Sequence, residues 1–123
     1  MDLKHKKLHV YALSVDIVEE CYRITSHLPA AEKFNLVSQI RRASLSIAMN
    51  IAEGASRNTR RERKRYYEVA RGSLVETDTA LTICIRLHYI REEDLSRLVQ
   101  IMGSVFNMLS KMITTLGKDS ASG

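Results

Sequence analysis

The chain has 123 residues, of which 45% are hydrophobic and 27% are charged. A chain of this length forms one domain with a core of its own, and a content of one Pro and five Gly excludes collagen-like and linker-dominated proteins. No apolar run has the length of a membrane span or of a signal-peptide core, and two cysteines are too few for a secreted disulfide scaffold. We therefore expect a cytoplasmic protein.

The positive charge is concentrated in one segment. The chain has 19 Lys and Arg residues against 14 Asp and Glu residues, which gives a net charge of +5. Residues 57–71, here called the basic segment, contain seven basic and two acidic residues. The net charge of this segment therefore equals the net charge of the whole chain. The basic residues are Arg57, Arg60, Arg61, Arg63, Lys64, Arg65 and Arg71. A second cluster, Lys4, Lys6 and Lys7, opens the chain, and the sequence does not place it relative to the basic segment.

Apolar residues at alternating spacings of three and four predict four amphipathic helices. Pro29 ends the first helix, because the residue before a proline leaves helical geometry. The second helix is predicted over residues 31–53, with Gly54 as its C-terminal stop. The main stripe of the first helix is Leu8, Tyr11, Val15, Val18 and Tyr22, and that of the second is Leu36, Ile40, Ala43, Ile47 and Ile51.

The third and fourth helices have clear start signals. Thr59 and Glu62 fit a capping box, so the third helix is predicted to begin there and to end near His88. Acidic residues at positions 92–94 suit the first turn of the fourth helix, where negative charge complements the helix dipole. The stripe of this helix has strict heptad spacing over Leu95, Leu98, Met102, Val105, Leu109, Met112 and Leu116.

No alternating strand pattern competes with these helices. The predicted fold class is therefore all-α, an antiparallel up-down-up-down four-helix bundle. We predict that the bundle is a single domain over residues 1–116. Residues 117–123 are small and polar, and we predict that they form a flexible C-terminal tail.

The basic segment opens the third helix, where positive charge is unfavourable. Cations in the first turns oppose the positive end of the helix dipole at a cost of ~0.3–1 kcal/mol each before screening, so an anionic partner is indicated. Arg outnumbers Lys six to one, which favours bidentate contacts with phosphate. Tyr66 and Tyr67 lie within the segment and could stack on an unpaired base, although one of them is expected in the core. The alternative is a solvated charged face.

Polar residues follow a stripe of the second helix that adjoins its apolar stripe. We interpret them as a structural network in which Arg41 or Arg42 pairs with Glu53 or Glu76, and a catalytic pocket is the alternative. The residues assigned to the network are Gln39, Arg41, Arg42, Asn50, Glu53, Ser73 and Glu76. Gly72 costs stability inside a helix, so Gly72, like Gly54, is interpreted as a position of close helix packing.

The motifs of common enzymes are absent. The sequence has no Glu-x-x-His pair for a di-iron centre, no zinc motif and no phosphate-binding Gly loop. Bundle-type ribonucleases of the nucleotide-binding class resemble one another in an Arg followed by His after four to six residues, and Arg23 and His27 are one residue short of this spacing. Cys21 and Cys84 fall on apolar faces and are predicted core residues. We therefore predict no catalytic residue, metal or cofactor.

Several strings of residues are specific enough to indicate a family. Residues 39–47 (QIRRASLSI), 50–54 (NIAEG), 70–73 (ARGS) and Glu76 strongly resemble the four-helix-bundle proteins encoded in intervening sequences of 23S ribosomal RNA. Matches at residues 8–11, 28–29 and 89–90 extend the resemblance over almost all of the chain. The chain departs from the pattern at Ala48, where many members have Pro, and at His88, where many have Gly.

The resemblance implies a ring-shaped homopentamer of short bundles without catalytic activity. A similar group, the accessory proteins of diversity-generating retroelements, binds nucleic acid through basic surfaces and engages a reverse transcriptase. Our first hypothesis is therefore a non-enzymatic oligomer that binds nucleic acid, RNA in particular, through the basic segment. The alternative is a scaffold for a protein such as a reverse transcriptase or a ribosomal partner, without direct nucleic-acid binding. A nuclease is a third and weaker hypothesis.

Surplus apolar residues also predict an oligomer. Each helix of a single bundle hides one broad stripe, so a second stripe is expected at a subunit interface. The residues assigned to this surplus are Ile17, Cys21, Ile24 and Leu28 on the first helix and Ile83, Leu87 and Ile90 near the end of the third.

Overall fold

A computed structural model describes residues 1–122, with side chains through residue 118. Within this range the chain is all-α, with four long helices and no strand, as the apolar periodicity predicts. The long helices are α1 (His9–Thr25), α2 (Ser38–Ser56), α3 (Arg60–Arg86) and α4 (Ser96–Ser122). Short turns precede three of them: 3-10 turns at Lys4–Lys7, Ala30–Glu32 and Glu92–Leu95, and a π-helical turn at Lys33–Val37.

The helices surround one hydrophobic core to which all four contribute. Its fully buried members include Ile17 of α1, Ile47 of α2 and Leu109 of α4, together with Cys84 of α3. Neighbouring helices are in contact in the order α1, α2, α3, α4 and back to α1. No helix in the described range combines the length and apolar character needed to cross a membrane.

The face of α1 that lies in the core differs from the predicted one. Ile17 and Cys21 are fully buried and Ile24 and Leu28 nearly so, whereas Tyr22 of the predicted main stripe is 41% exposed. The interpretation of the first four residues as a surplus stripe for a subunit interface was therefore wrong. Near the end of α3 the predicted surplus of apolar residues is confirmed in part: Ile83 and Leu87 are exposed, whereas Ile90 is buried.

Gly54 does not stop α2, which continues for two residues beyond it. It serves the second predicted role, close packing, because a Cβ atom at this position would lie 2.6 Å from Cε1 of Tyr67. The absence of a side chain thus lets the Tyr67 ring pack directly against the α2 backbone. The same interpretation of Gly72 was wrong within this chain: Gly72 is on an exposed side of α3, and a Cβ atom there would meet nothing within 4 Å.

α4 extends past Leu116, the last residue of its predicted stripe, to Ser122. The predicted flexible tail at 117–123 falls largely on residues outside the described side chains, and Gly123 lies outside the described residues altogether. The division of the chain at residue 116 stays a prediction.

The end of α3 is a Schellman motif built around a non-glycine residue. The N–H of Tyr89 donates to the carbonyl of Cys84 and the N–H of His88 to that of Ile85, both at 3.0 Å. This pattern requires a left-handed residue after the helix, and His88 has a φ of 62°.

We predict that His88→Gly stabilises the protein by about 1 kcal/mol, because glycine adopts positive φ without the steric cost of a Cβ atom. The measurement is urea unfolding followed by circular dichroism. The matched control is His88→Ala, which removes the imidazole but keeps the Cβ atom and should bring no gain. Equal stabilisation by both variants would assign the effect to the imidazole instead of the backbone.

A second prediction concerns the contact between α2 and α3. Gly54→Ala should destabilise the protein by ~1–3 kcal/mol, because its methyl group has to displace the Tyr67 ring. Gly72→Ala is the control, since the same change in open space inside a helix should stabilise by roughly 0.5–1 kcal/mol. Opposite signs of the two changes in unfolding free energy are expected, and equal signs would contradict the packing role of Gly54.

Candidate nucleic-acid interface

The basic segment begins at the connection between α2 and α3. Thr59 is the N-cap of α3, and its hydroxyl oxygen accepts a hydrogen bond of 3.2 Å from the backbone N–H of Glu62. The Glu62 carboxylate lies 3.2 Å from the same hydroxyl, which donates to it. The predicted helix start is therefore confirmed. Glu62 is the only acidic residue in the first turn of α3, so the cap does not neutralise the surrounding arginines.

Arg57 has a structural role in this connection. Its guanidinium pairs with the Glu53 carboxylate at 2.6 Å and lies over the Tyr66 ring, 4.9 Å from the centroid. Its backbone carbonyl accepts a hydrogen bond of 2.9 Å from Nε of Arg63. Nε of Arg57 is buried without a hydrogen-bond partner among the described residues. Arg57 thus ties the end of α2 to the first turns of α3.

Arg71 also has contacts within the chain. It donates a hydrogen bond of 3.2 Å to Ser110 of α4, and its guanidinium lies 6.0 Å from the centroid of the Phe106 ring. Three of the seven predicted phosphate ligands, Arg57, Arg63 and Arg71, are therefore half-buried and anchored. Their charge still contributes to the potential at this end of the molecule.

Three of the remaining four cations face outward. Arg60, Arg61 and Arg65 are exposed, and for Arg61 and Arg65 no hydrogen bond or ion pair is made with any described residue. Lys64 is half-buried and reaches α4, where its Cε atom would lie 3.6 Å from a Cβ atom at Gly117. Arg61 and Arg65 lie one helical turn apart and so project from the same face of α3.

The N-terminal cluster packs against two of the long helices. The Lys4–Lys7 turn contacts both α1 and α2. Thr25, the last residue of α1, accepts a hydrogen bond of 2.9 Å from Arg41 near the start of α2. His5 fixes the turn by packing edge-on against the Tyr11 ring at 4.7 Å.

The predicted polar network forms only in part. The hydroxyls of Ser46 and Ser73 are 2.8 Å apart and link α2 to α3, and Asn50 donates to the Ser46 hydroxyl and carbonyl. Glu53 pairs with Arg57 instead of the predicted Arg41 or Arg42.

Arg41 instead joins α2 to α1. It donates to the Thr25 hydroxyl at 2.9 Å and lies over the Tyr22 ring, 4.5 Å from the centroid. The other three predicted members, Gln39, Arg42 and Glu76, are exposed. Two of the contacts that form, Arg41 with Thr25 and Ser46 with Ser73, join neighbouring helices.

The two thiols and the imidazoles of His27 and His88 belong to neither basic cluster. Cys21 and Cys84 are buried free thiols, as predicted, and burial raises the pKa of Cys21 to about 12 and also raises that of Cys84. Both thiols are therefore protonated at neutral pH. His27 and His88 are exposed. Among the described residues no three His, Cys, Asp or Glu side chains form a group that could hold a metal ion.

Sequence reasoning missed one part of this surface, at the end of α4. Arg63 and Tyr67 of α3 line a cavity of about 340 Å³ together with Lys111, Met112, Thr115 and Leu116 of α4. Lys111 is isolated in the sequence, about forty residues from the basic segment, and only the packing of α3 against α4 places it beside Arg63. The sequence contains one signal for this face of α4: the heptad positions of Met112 and Leu116 indicate that it packs against neighbouring helices.

Comparisons with known proteins agree with the fold. A family model described as 23S rRNA-intervening sequence protein matches residues 6–111. A crystal structure of a protein of unknown function from the S23 ribosomal protein family of Bacteroides thetaiotaomicron VPI-5482 is similar, with a TM-score of 0.78 and 24% sequence identity. The likeness covers 85% of this chain and 97% of that chain, and at this identity it concerns the fold alone. The comparison with curated proteins gave no match.

Proposed function

The chain belongs to the 23S rRNA-intervening sequence protein family, and we propose that it is a non-enzymatic, homo-oligomeric four-helix-bundle protein that binds nucleic acid through its basic segment. RNA is the favoured partner. The observation that carries this proposal is the exposure of Arg61 and Arg65 at the start of a helix, where positive charge is unfavourable without an anion.

The antiparallel up-down-up-down topology is part of the proposal. It is supported by contacts that join the end of one helix to the start of the next, or of α1 to the start of α4. These contacts are Thr25 with Arg41, Gly54 with Tyr67 and Glu20 with Arg97, and Lys64 near the start of α3 also lies beside Gly117 late in α4. This topology gathers the basic segment, the Lys4–Lys7 turn and the end of α4 at one end of the bundle.

The contacts that the basic segment offers are suited to phosphates. Exposed guanidinium groups at a helix start present paired N–H donors to phosphate oxygens, and such contacts position a nucleic acid without reading its sequence. We therefore propose binding that is mostly independent of sequence. The segment brings together cations and tyrosines without a nucleophile or a positioned general base, which supports a binding role over catalysis.

The oligomer is proposed to be a ring-shaped homopentamer. A groove between α3 and α4, with a volume of about 320 Å³, supports a further protein interface. Val75 and Val99 in its walls are 50% and 55% exposed, and Phe106 is 38% exposed. Gly103 in the groove leaves open space at the α4 backbone. Five copies would repeat the basic segment around the ring, so that weak phosphate contacts combine through avidity.

The same groove supports a second candidate function. Exposed apolar side chains in a groove are typical of protein interaction sites, so the chain could act as a scaffold for a different protein, such as a reverse transcriptase or a ribosomal partner, without contacting nucleic acid. The two functions differ in one measurement, the affinity of the purified protein for RNA.

We predict that the protein binds structured RNA with an affinity that falls steeply with salt. The slope should approach one logarithmic unit of affinity per logarithmic unit of salt for each neutralised phosphate. The double variant Arg61→Glu/Arg65→Glu should weaken binding at least tenfold and reduce the slope by about two, because both cations are exposed and unpaired among the described residues. The measurement is fluorescence anisotropy across a salt series.

The control is Arg42→Glu/Arg86→Glu, which makes the same change in net charge at exposed arginines outside the basic segment. It should leave the salt slope unchanged. Equal losses in the two double variants would reject the basic segment as the site, and absence of RNA binding by the unaltered protein would favour the scaffold.

We also predict an oligomer with a mass near five times the 14.0 kDa of one chain. Val99→Asp should shift the protein towards the monomer, because it places a charge in the apolar groove between α3 and α4. Gln100→Asp, one residue further along α4 and also exposed, is the control with the same added charge and should keep the oligomer. Light scattering at micromolar concentration measures both, and a monomer for the unaltered chain would refute the assembly.

A further inference from the structure

The cavity at the end of α3 and α4 has two chemically different sides. Met112 and Leu116 of α4 provide an apolar wall, and Arg63 and Lys111 provide positive charge. Its volume of about 340 Å³ is within the range of ~300–1,000 Å³ typical of small-molecule sites. A ligand that matches both sides carries a flat or apolar group together with an anionic group.

Polar groups in this cavity are available to such a ligand. Nε of Arg63 donates to the backbone of Arg57, but its two terminal nitrogens make no hydrogen bond to the described residues. Lys111 is exposed and has no ion pair within the same range. Two cations that pair with no carboxylate among the described side chains create a local positive potential at the mouth of the cavity.

Tyr67 contributes a third polar group. The residue is only 5% exposed and its ring is held against Gly54, yet its hydroxyl makes no hydrogen bond to any described residue. Burial raises the pKa of Tyr67, and the positive charge of Arg63 lowers it. The hydroxyl is not enclosed by the protein, so a ligand in the cavity that Tyr67 lines can reach it and supply a hydrogen-bond partner.

We propose that this cavity binds one unpaired nucleotide of a single-stranded RNA, with the base against Met112 and Leu116 and the phosphate on Arg63 and Lys111. The thioether of Met112 makes favourable contacts with an aromatic ring, and the Tyr67 hydroxyl can bond to the edge of the base. A base reaches such a cavity only when it is out of a helical stack, so the site favours single strands, loops and ends over duplex.

The proposal rests on the proposed function and adds the class of nucleic acid to it. Arg63 belongs to both surfaces, and Lys64 reaches α4 at Gly117, so a strand that follows the exposed arginines of α3 arrives at the cavity. The basic segment then supplies affinity for any phosphate backbone, and the cavity supplies preference for unpaired bases.

The test compares a short single-stranded oligoribonucleotide with a blunt duplex of the same length by fluorescence anisotropy at fixed salt. The unaltered protein should bind the single strand roughly tenfold more tightly, a difference typical of one base in contact with protein side chains. Thr115→Glu places a carboxylate in the cavity beside the two cations and should abolish this preference.

Thr114→Glu is the matched control. Thr114 is the preceding residue, exposed and not part of the cavity wall, so this variant has the same net charge and the same substitution in the same helix. It should retain the preference for the single strand. Both variants should bind duplex equally, because their effects on the long-range potential are the same.

A second measurement separates the base from the phosphate. In nuclear magnetic resonance titrations, a nucleoside monophosphate should shift the Met112 methyl signal, and inorganic phosphate at the same concentration should shift it far less. Equal effects of Thr115→Glu and Thr114→Glu on the single strand, with RNA binding otherwise intact, would overturn the cavity proposal alone. Absence of binding to either RNA would overturn the proposed function together with it.

Discussion

The contact between Gly54 and Tyr67 is the constraint on which the arrangement of the basic segment depends. A tyrosine ring can press against the α2 backbone only where no Cβ atom intervenes, so this glycine sets the separation of α2 and α3 at the end where they are joined. The short connection then places Thr59 at the N-cap, and Arg57 closes it by pairing with Glu53 and lying over Tyr66. With the connection held in this way, the cations that follow Thr59 project from the first turns of a rigid helix.

This arrangement divides the basic residues by role. Arg57 and Arg71 lie over aromatic rings and hydrogen-bond within the chain, so part of their work is to hold helices together. Arg61 and Arg65 are exposed at a helix start and have no such role within the described residues. Anchored arginines lend charge without losing side-chain entropy on binding, whereas exposed ones can adapt to the positions of phosphates. A surface that carries both anchored and exposed arginines suits a partner whose sequence varies but whose charges are regularly spaced.

The periodicity of the sequence predicted the four helices, and the pairing of Thr59 with Glu62 predicted the start of α3, because both signals are local. The orientation of α1 was not predictable, since Tyr22 and Cys21 belong to adjacent apolar stripes and only the neighbouring helices decide which one enters the core. Gly54 was compatible with two roles, a helix stop and a close packing contact, and the sequence alone does not distinguish them. Lys111 could not be assigned to the site, because its partner Arg63 is distant in the chain and the cavity between them is a gap in packing.

In the proposed antiparallel topology both basic clusters lie at one end of the molecule, and this changes how the net charge acts on a partner. Residues outside the basic segment balance in number, but the Lys4–Lys7 turn contacts α2 and lies at the end of the molecule where the basic segment begins. Screening at physiological salt limits the reach of exposed charges to ~8 Å, so only cations gathered at one end act together on a polyanion. This topology thus concentrates a modest excess of positive charge at one end of the molecule. The cavity beside Lys111 lies at the edge of this charged end. In the proposed ring of identical subunits, symmetry would place these ends on one circle, and a strand that followed the circle would meet a basic surface at every subunit.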